Sequence, residues 1–83
     1  MPPRRSRDQI IAQILVLCQG DGISKTRIVY QVNLNFHTVD MYLGLLLKKG
    51  LLEATQGDRS IYKTTAKGEK SLDCLREVEA IFS

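Results

Sequence analysis

The sequence predicts a mostly α-helical α+β domain of the winged helix-turn-helix type. Two short amphipathic stretches, residues 25–32 and 36–49, carry apolar residues at helical spacing and are separated by a tight polar turn. A glycine at position 50 ends the second stretch, and two β-prone stretches around a short polar loop come next. Helix, turn, helix and hairpin in this order are typical of a winged helix.

The size and composition of the chain restrict its class. Its 83 residues correspond to one domain with a modest core, and the 43% of hydrophobic residues is ordinary for a folded protein. No apolar run approaches the length of a membrane span. Residues 2–7 lead directly into an amphipathic stretch and do not resemble a signal peptide. We therefore expect a cytoplasmic protein without a membrane partner.

The reactive residue types do not point to catalysis or to a cofactor. Cys18 and Cys74 lie far apart without histidine companions, and a structural zinc site needs about four clustered ligands. We expect each cysteine to be a small buried hydrophobic residue; a disulfide between them is the less favoured alternative. With one histidine and no pairing of a nucleophile with a base, we expect no enzyme, no metal, no cofactor and no small-molecule substrate.

Positive charge is concentrated in the first three quarters of the chain. Residues 1–64 carry nine cationic and five anionic side chains, whereas residues 65–83 carry three and four. The net charge of +3 is small, but its location favours a polyanionic partner for the helix-turn-helix part.

Capping residues set the predicted helix starts. Ser6 precedes a first helix from about Arg7 to Gln19, and Gly20 ends it. The apolar face of this helix comprises Ile10, Ile14, Leu17 and Cys18. Serine, asparagine and threonine are placed to cap the three later helices at positions 24, 35 and 65, respectively. The remaining predicted elements are a one- or two-residue strand at Ile23, helices at about 25–32, 36–49 and 66 to the chain end, and strands at 51–55 and 59–64 around the loop 56–58.

The third helix separates into a buried face and an exposed face at 100° per residue. The predicted buried stripe is Val39, Leu43 and Leu46, flanked by Phe36, Tyr42 and Leu47. The predicted exposed face is His37, Met41, Gly44 and Lys48. Because recognition helices read bases mainly with their N-terminal residues, the candidates for base-edge contacts are His37, Thr38 and Met41. This helix has no Arg, Asn or Gln, so we expect low sequence selectivity; Asp40 either accepts from a cytosine or stabilises the helix start.

Contacts with phosphate have more candidates. The first turn of the second helix joins free backbone amides to cationic side chains, which suits an anion. Cations of the N-terminal arm, of the hairpin and of the third helix add to this group. The phosphate candidates are Arg4, Arg5, Arg7, Ser24, Lys25, Thr26, Arg27, Lys48 and Arg59. The alternative for each cation is a solvated surface charge.

The last helix carries an apolar half that a small core cannot cover completely. We expect it to pair with the same helix of a second chain, through Leu72, Leu75, Val78, Ile81 and Phe82. The alternative is that it folds over the first helix in a monomer, where Ala12 and Val16 offer a second apolar patch. The predicted organisation is a flexible basic arm at 1–6, a winged helix-turn-helix domain at 7–64 and a dimerisation helix at 65–83.

An ordered series of short motifs resembles a known family. The series comprises residues 25–30 (KTRIVY), 33–36 (NLNF), 42–43 (YL), 49–52 (KGLL), 62–65 (YKTT) and 67–68 (KG). It is similar to the archaeal ten-kilodalton winged-helix DNA-binding family of Sulfolobus chromatin-type proteins, from about residue 8 to 75. The resemblance implies a DNA-binding homodimer joined by an antiparallel coiled coil of C-terminal helices. It also implies that Lys25, Thr26, Arg27 and the hairpin line the nucleic-acid face; residues 37–40 do not follow the family, so no target sequence carries over.

The residues and the resemblance together predict a non-enzymatic, nucleoid-associated protein that binds double-stranded DNA as a homodimer. Its role is that of a transcription regulator or a chromatin-associated factor. The alternative is a winged helix that holds a partner protein with Met41, Gly44 and Leu45 instead of DNA. RNA binding is less favoured because aromatic residues are few, at 6%.

Overall fold

A computed structural model of the chain describes residues 6–55 and 60–82, with side chains described up to residue 75. Within these residues it contains four helices and three short strands, so the predicted mostly helical α+β class is confirmed. The elements in chain order are α1 (Arg7–Leu17), β1 (Ile23–Ser24), α2 (Lys25–Val32), α3 (Phe36–Lys48), β2 (Leu52–Thr55), β3 (Ile61–Thr64) and α4 (Ala66–Phe82).

The predicted capping residues begin the helices. The Ser6 hydroxyl accepts a backbone hydrogen bond in the first turn of α1. The Ser24 hydroxyl accepts from the backbone N–H of Arg27 at 3.4 Å, and the Asn35 side chain accepts from that of Thr38 at 2.7 Å. Each bond satisfies a donor that the helix itself leaves unpaired. The starts of α2 and α3, which frame the helix-turn-helix, are therefore fixed by local side-chain chemistry.

Two helix ends differ slightly from the prediction. Helix α1 ends at Leu17, two residues early, because its last turn tightens and the Gln19 N–H donates to the carbonyl of Val16 at 3.2 Å. Helix α3 ends one residue early, at Lys48. Between α2 and α3, Asn33 adopts the left-handed conformation with φ of 56°, which asparagine tolerates better than most residues. This sharp turn sends α3 across α2.

The three strands form one antiparallel sheet with β3 in the middle. Leu52 pairs with Thr64 and Thr55 pairs with Ile61 in the hairpin, while Ile23 of β1 pairs with Tyr62. Strand β3 begins at Ile61 and not at the predicted position 59; the predicted loop 56–58 and Arg59 lie outside the described residues. The pairing of β1 with β3 brings the start of α2 next to the base of the hairpin.

A single core joins the helices to the sheet. The buried apolar side chains are Ile10, Ile14, Leu15, Cys18, Ile28, Val32, Val39, Tyr42, Leu43, Leu46, Leu52, Tyr62 and Leu72. Thr64 is buried beside these apolar side chains, and its hydroxyl donates to the carbonyl of Leu15 at 2.7 Å. The predicted face of α1 omitted Leu15, which is fully buried. Val16, predicted as part of an apolar patch that the last helix of the same chain could cover, is 39% exposed.

Two apolar positions were predicted wrongly as buried. Cys18 is buried as expected, and burial raises the pKa of its thiol to about 12. Cys74, in contrast, is exposed, because α4 turns the neighbouring Leu72 and not Cys74 towards the core. Phe36 is 56% exposed and does not flank the buried stripe, since the first residue of α3 lies beyond the edge of the core.

Helix α4 is attached to the end of α3 by several polar contacts. The Thr65 hydroxyl donates to the Gly50 carbonyl at 2.6 Å and accepts from the N–H of Gly68 at 3.0 Å. The Lys67 ammonium donates to the carbonyl of Lys49 at 2.9 Å. Gly68 lies so close to the carbonyl of Leu51 that any side chain would clash with it. The direction in which α4 leaves the domain is therefore fixed.

The position of α4 changes the expected dimer contacts. Leu72 is 1% exposed, because the first half of α4 packs against α1 within the same chain. Leu72 therefore belongs to the core of one chain, which corrects its assignment to a dimer interface. Leu75 is half-buried, and the side chains of Val78, Ile81 and Phe82 lie outside the described ones. None of the described helices has the length and hydrophobicity needed to cross a membrane.

Candidate nucleic-acid interface

Helix α3 presents one continuous exposed stripe. His37, Met41, Gly44 and Lys48 are all exposed and lie within one side of the helix, as predicted; we call this set the α3 stripe. Met41 is 58% exposed, and a Cβ atom built on Gly44 meets no other atom within 4 Å. A second molecule can therefore come close to the helix backbone at the middle of the stripe.

The first turn of α2 and the base of the hairpin form a second surface. Ser24, Lys25, Thr26 and Arg27, which we call the α2 start, line an open depression of about 550 Å³ together with Ser60 and Tyr62. Thr26 and Arg27 are exposed, and Ser24 is half-buried by its pairing in β1. The backbone N–H groups of a helix start and a guanidinium in one concave surface are suited to an anion.

Lys25 is engaged by the protein itself. Its ammonium lies 2.6 Å from a carboxylate oxygen of Asp40, 5.2 Å from the centroid of the Phe36 ring and 6.0 Å from that of Tyr62. The hydrogen bond with Asp40 raises the pKa of Lys25 and lowers the pKa of Asp40. Lys25 therefore connects α2, α3 and the hairpin, which is a different position from the free phosphate contact that the sequence predicted.

This ion pair also gives Asp40 a role. From the sequence, Asp40 was assigned either to a cytosine or to the start of its own helix. In the structure it is 56% exposed at the edge of the α3 stripe, and its charge is matched by Lys25. The two residues are fifteen positions apart on different helices, so no local spacing in the sequence reveals the pair. An unpaired carboxylate at this position would repel a phosphate backbone.

The other predicted site residues are distributed around these two surfaces. Thr38 is half-buried in the first turn of α3, and Lys48 is exposed at its last residue. Arg7 is exposed at the first residue of α1. Arg4, Arg5 and Arg59 lie outside the described residues.

Tyr30 is an exposed residue that the sequence reasoning did not select as a site. It is 81% exposed on α2, three and four positions after Arg27 and Thr26, and therefore lies on the same side of that helix. Its helical spacing from the α2 start was the signal that could have identified it. The phenol combines a large apolar surface with a hydrogen-bonding group, a combination that is common at interfaces.

Metal binding has no visible basis in the described part of the chain. Residues 6–55 and 60–75 contain no group of three or more histidine, cysteine, aspartate or glutamate side chains that could hold an ion.

Comparisons with known proteins agree with this architecture. A protein-family model described as winged helix-turn-helix matches residues 4–83 of the sequence. An uncharacterized protein of Methanocaldococcus jannaschii is 35% identical over 75 residues, which are 90% of this chain and 34% of that protein. The chain thus spans about a third of the length of this relative.

Solved structures show the same fold. Sso10a-2, a DNA-binding protein from Sulfolobus solfataricus, superimposes with a TM-score of 0.81 at 32% identity, over 93% of this chain and 81% of that one. The PcaV transcriptional regulator from Streptomyces coelicolor gives a TM-score of 0.76 at 22% identity, over 95% of this chain and 57% of that one, a likeness of fold alone. The chain belongs to the winged helix-turn-helix family, and its similarities place it in the archaeal branch that the sequence motifs indicated.

Proposed function

We propose that this protein binds double-stranded DNA as a homodimer, without catalysis, as a transcription regulator or a chromatin-associated factor. The observation that carries the proposal is the position of the α3 stripe. It is exposed along its whole length, unobstructed at Gly44, and belongs to the second helix of a helix-turn-helix. In this fold that helix lies in the major groove. The similarity to a DNA-binding protein of Sulfolobus solfataricus supports the same conclusion.

Phosphate contacts supply most of the affinity in this proposal. The guanidinium of Arg27 is exposed and makes no ion pair with any residue of the described part. Ser24 and Thr26 add hydroxyl groups, since both residues line the same depression. We propose that Arg59 and the cations of residues 1–7 extend this contact along the phosphate backbone. Binding of this kind weakens steeply as salt rises, because each neutralised phosphate releases counterions.

The proposed homodimer forms through the second half of α4. Leu72, in the first half of α4, belongs to the chain's own core, so the proposed contact begins at the half-buried Leu75. The sequence prediction adds Val78, Ile81 and Phe82 to it. In this arrangement residues 7–64 are the DNA-binding unit and residues 65–83 the pairing segment. A small core of this size gains stability from such a partner.

Salt-titrated binding tests the DNA-binding surface. The wild-type chain and the variants Arg27→Ala and Lys70→Ala are titrated onto a labelled random duplex over a series of salt concentrations. Each variant removes one exposed cation, but Lys70 lies on α4, away from the α2 start. We expect Arg27→Ala to lower affinity about tenfold at low salt and to reduce the log–log salt slope by about 0.9. Lys70→Ala should match the wild type; equal binding by both variants would contradict the proposed face.

Sedimentation tests the dimer separately. At tens of micromolar the wild type is expected at twice the mass of one chain, and Leu75→Asp at the mass of one chain, since a carboxylate in an apolar helix seam is costly to bury. Cys74→Ala is the matched control, because Cys74 is exposed on the neighbouring position. A single-chain mass for the wild type at all concentrations would exclude the dimer and leave the DNA-binding proposal standing.

A protein partner for α3 is the second candidate. The exposure of Met41, together with the half-buried Leu45 beside it, gives this surface an apolar part that a protein could also cover. This function would appear as binding to a protein that does not change with salt and as no binding to any duplex. The same salt titration therefore separates the two candidates.

A further inference from the structure

We infer that the α3 stripe reads the C5-methyl group of thymine in the major groove, through the side chain of Met41. The inference rests on the proposed DNA binding and deepens it. It names the base feature that this surface selects. Helix α3 contains no Arg, Asn or Gln, the residues that commonly read bases through two hydrogen bonds at once.

The composition of the stripe supports an apolar contact. Met41 lies one turn after His37 and one turn before Gly44, and it is the one large apolar side chain of the α3 stripe. It is 58% exposed, and the neighbouring glycine has no side chain that would shield it or hold the helix away from a partner. Among the base edges of the major groove, the thymine methyl is the apolar group that such a side chain matches.

The charges around Met41 indicate that the occupant is nucleic acid. Exposed cations lie at the C-terminal end of α3, at Lys48 and Lys49, and at the start of α2, at Arg27. The carboxylate at the edge of the stripe, Asp40, is paired with Lys25. An apolar centre between cations complements the major groove, where base edges lie between two phosphate backbones.

The side chain of Met41 is suited to this contact by its flexibility. Methionine is unbranched and polarizable, so it can follow the position of a methyl group over neighbouring base steps. Such a contact distinguishes thymine from other bases without fixing one sequence. The expected selectivity is modest: burying one methyl group corresponds to about 0.8 kcal/mol, or roughly fourfold in affinity. This agrees with a protein whose affinity comes mainly from phosphates.

Replacement of thymine by deoxyuridine tests the inference, because it removes the methyl group and leaves the base pairing intact. Two A·T-rich duplexes of identical sequence, one with thymine and one with deoxyuridine throughout, are titrated with the wild-type chain at one low salt concentration. We expect the thymine duplex to bind about fourfold more tightly for each methyl group contacted. Met41→Ala should bind both duplexes equally, whereas Met41→Leu, which keeps apolar volume, should retain the preference.

Val16→Ala is the matched control, since it shortens another exposed apolar side chain on a helix outside the stripe and should keep the wild-type preference. Equal binding of the two duplexes by the wild type would overturn the inference while leaving DNA binding intact. A preference that survives in Met41→Ala would overturn the role of Met41. Failure to bind either duplex would overturn the proposed function itself, and with it this inference.

Discussion

The α2 start and the α3 stripe lie side by side, but they differ in almost every physical property. The α2 start is concave, polar and cationic, with Arg27 exposed beside the hairpin base. The α3 stripe has an apolar and small centre, Met41 and Gly44, between His37 and Lys48. Charge attracts any nucleic-acid backbone, whereas shape and apolar contact act on base edges. In the proposed DNA complex, the α2 start supplies charge for the phosphate backbone, and the centre of the α3 stripe supplies apolar contact for base edges.

The strongest way to test the division is to obstruct the stripe without changing its charge. Gly44→Leu adds a side chain where nothing lies within 4 Å, so the fold should accept it. Removing a helical glycine should raise the free energy of unfolding by roughly 0.5–1 kcal/mol. Duplex binding should weaken by on the order of 1–3 kcal/mol, comparable with a mismatched base pair, because the helix can no longer approach the groove closely.

Chemical denaturation and duplex titration on the same sample measure both effects of Gly44→Leu. Val16→Leu serves as its control, because it enlarges an exposed apolar residue on α1 and should leave DNA binding unchanged. If the Gly44→Leu protein is more stable and binds DNA as well as the wild type, the proposal that α3 lies in the major groove is wrong.

A smaller effect is expected at the ion pair that joins the two regions. Asp40→Asn removes the carboxylate and frees the Lys25 ammonium for phosphate, so duplex affinity should rise a few-fold and the salt slope should steepen by about 0.9. Lys25→Met should weaken binding a few-fold through the exposed Asp40 charge and not through a lost phosphate contact. A salt slope that falls by about 0.9 in Lys25→Met would restore Lys25 as a direct phosphate ligand.

The smallest expected effect is the pH dependence of stability that the same pair produces. Lys25 lowers the pKa of Asp40 below its ordinary 3.8, and the Asp40 carboxylate raises the pKa of Lys25 above its ordinary 10.5. A carboxyl whose pKa is lowered in the folded state stabilises the fold at pH values above its pKa in the unfolded chain, and this stabilisation is lost as pH falls. An ammonium whose pKa is raised in the folded state stabilises the fold at pH values below its pKa in the unfolded chain, and this stabilisation is lost as pH rises.

The contribution of the pair is therefore fully present between pH 3.8 and 10.5. It is lost as pH falls through the lower folded-state pKa of Asp40 or rises through the higher folded-state pKa of Lys25. Urea unfolding of the wild type and of Asp40→Asn, at neutral pH and well below pH 3.8, should show a difference in the free energy of unfolding that shrinks as the medium becomes more acidic. A difference that persists unchanged in acid would show that the pair contributes nothing to it.

The sequence predicts those features of the fold that depend on neighbouring residues. Ser24 and Asn35 were identified as caps because capping is decided within three positions, and the structure confirms both. The exposed residues of the α3 stripe followed from helical periodicity in the same way. Periodicity does not say where a core ends, however, so Phe36 was placed with the buried stripe although it lies outside.

Features that depend on the packing of distant elements were beyond local patterns. The pairing of Lys25 with Asp40 requires α2 and α3 to cross, and the burial of Leu72 requires α4 to lie on α1. Both residues had been assigned to an outside partner, DNA for Lys25 and a second chain for Leu72. The chain's own core covers Leu72. Lys25 pairs with Asp40, and its contact with phosphate stays a prediction.

The rigid junction between α3 and α4 has a consequence for spacing along DNA. Because Thr65 and Gly68 fix the direction of α4, each residue of that helix has a defined rotational position relative to the rest of the domain. Each residue inserted beyond Leu72 would advance everything after it by 1.5 Å and turn it by about 100°. In the proposed homodimer such an insertion would rotate one recognition helix out of phase with the other. The length of α4 would then select which separations of two groove segments a dimer can span.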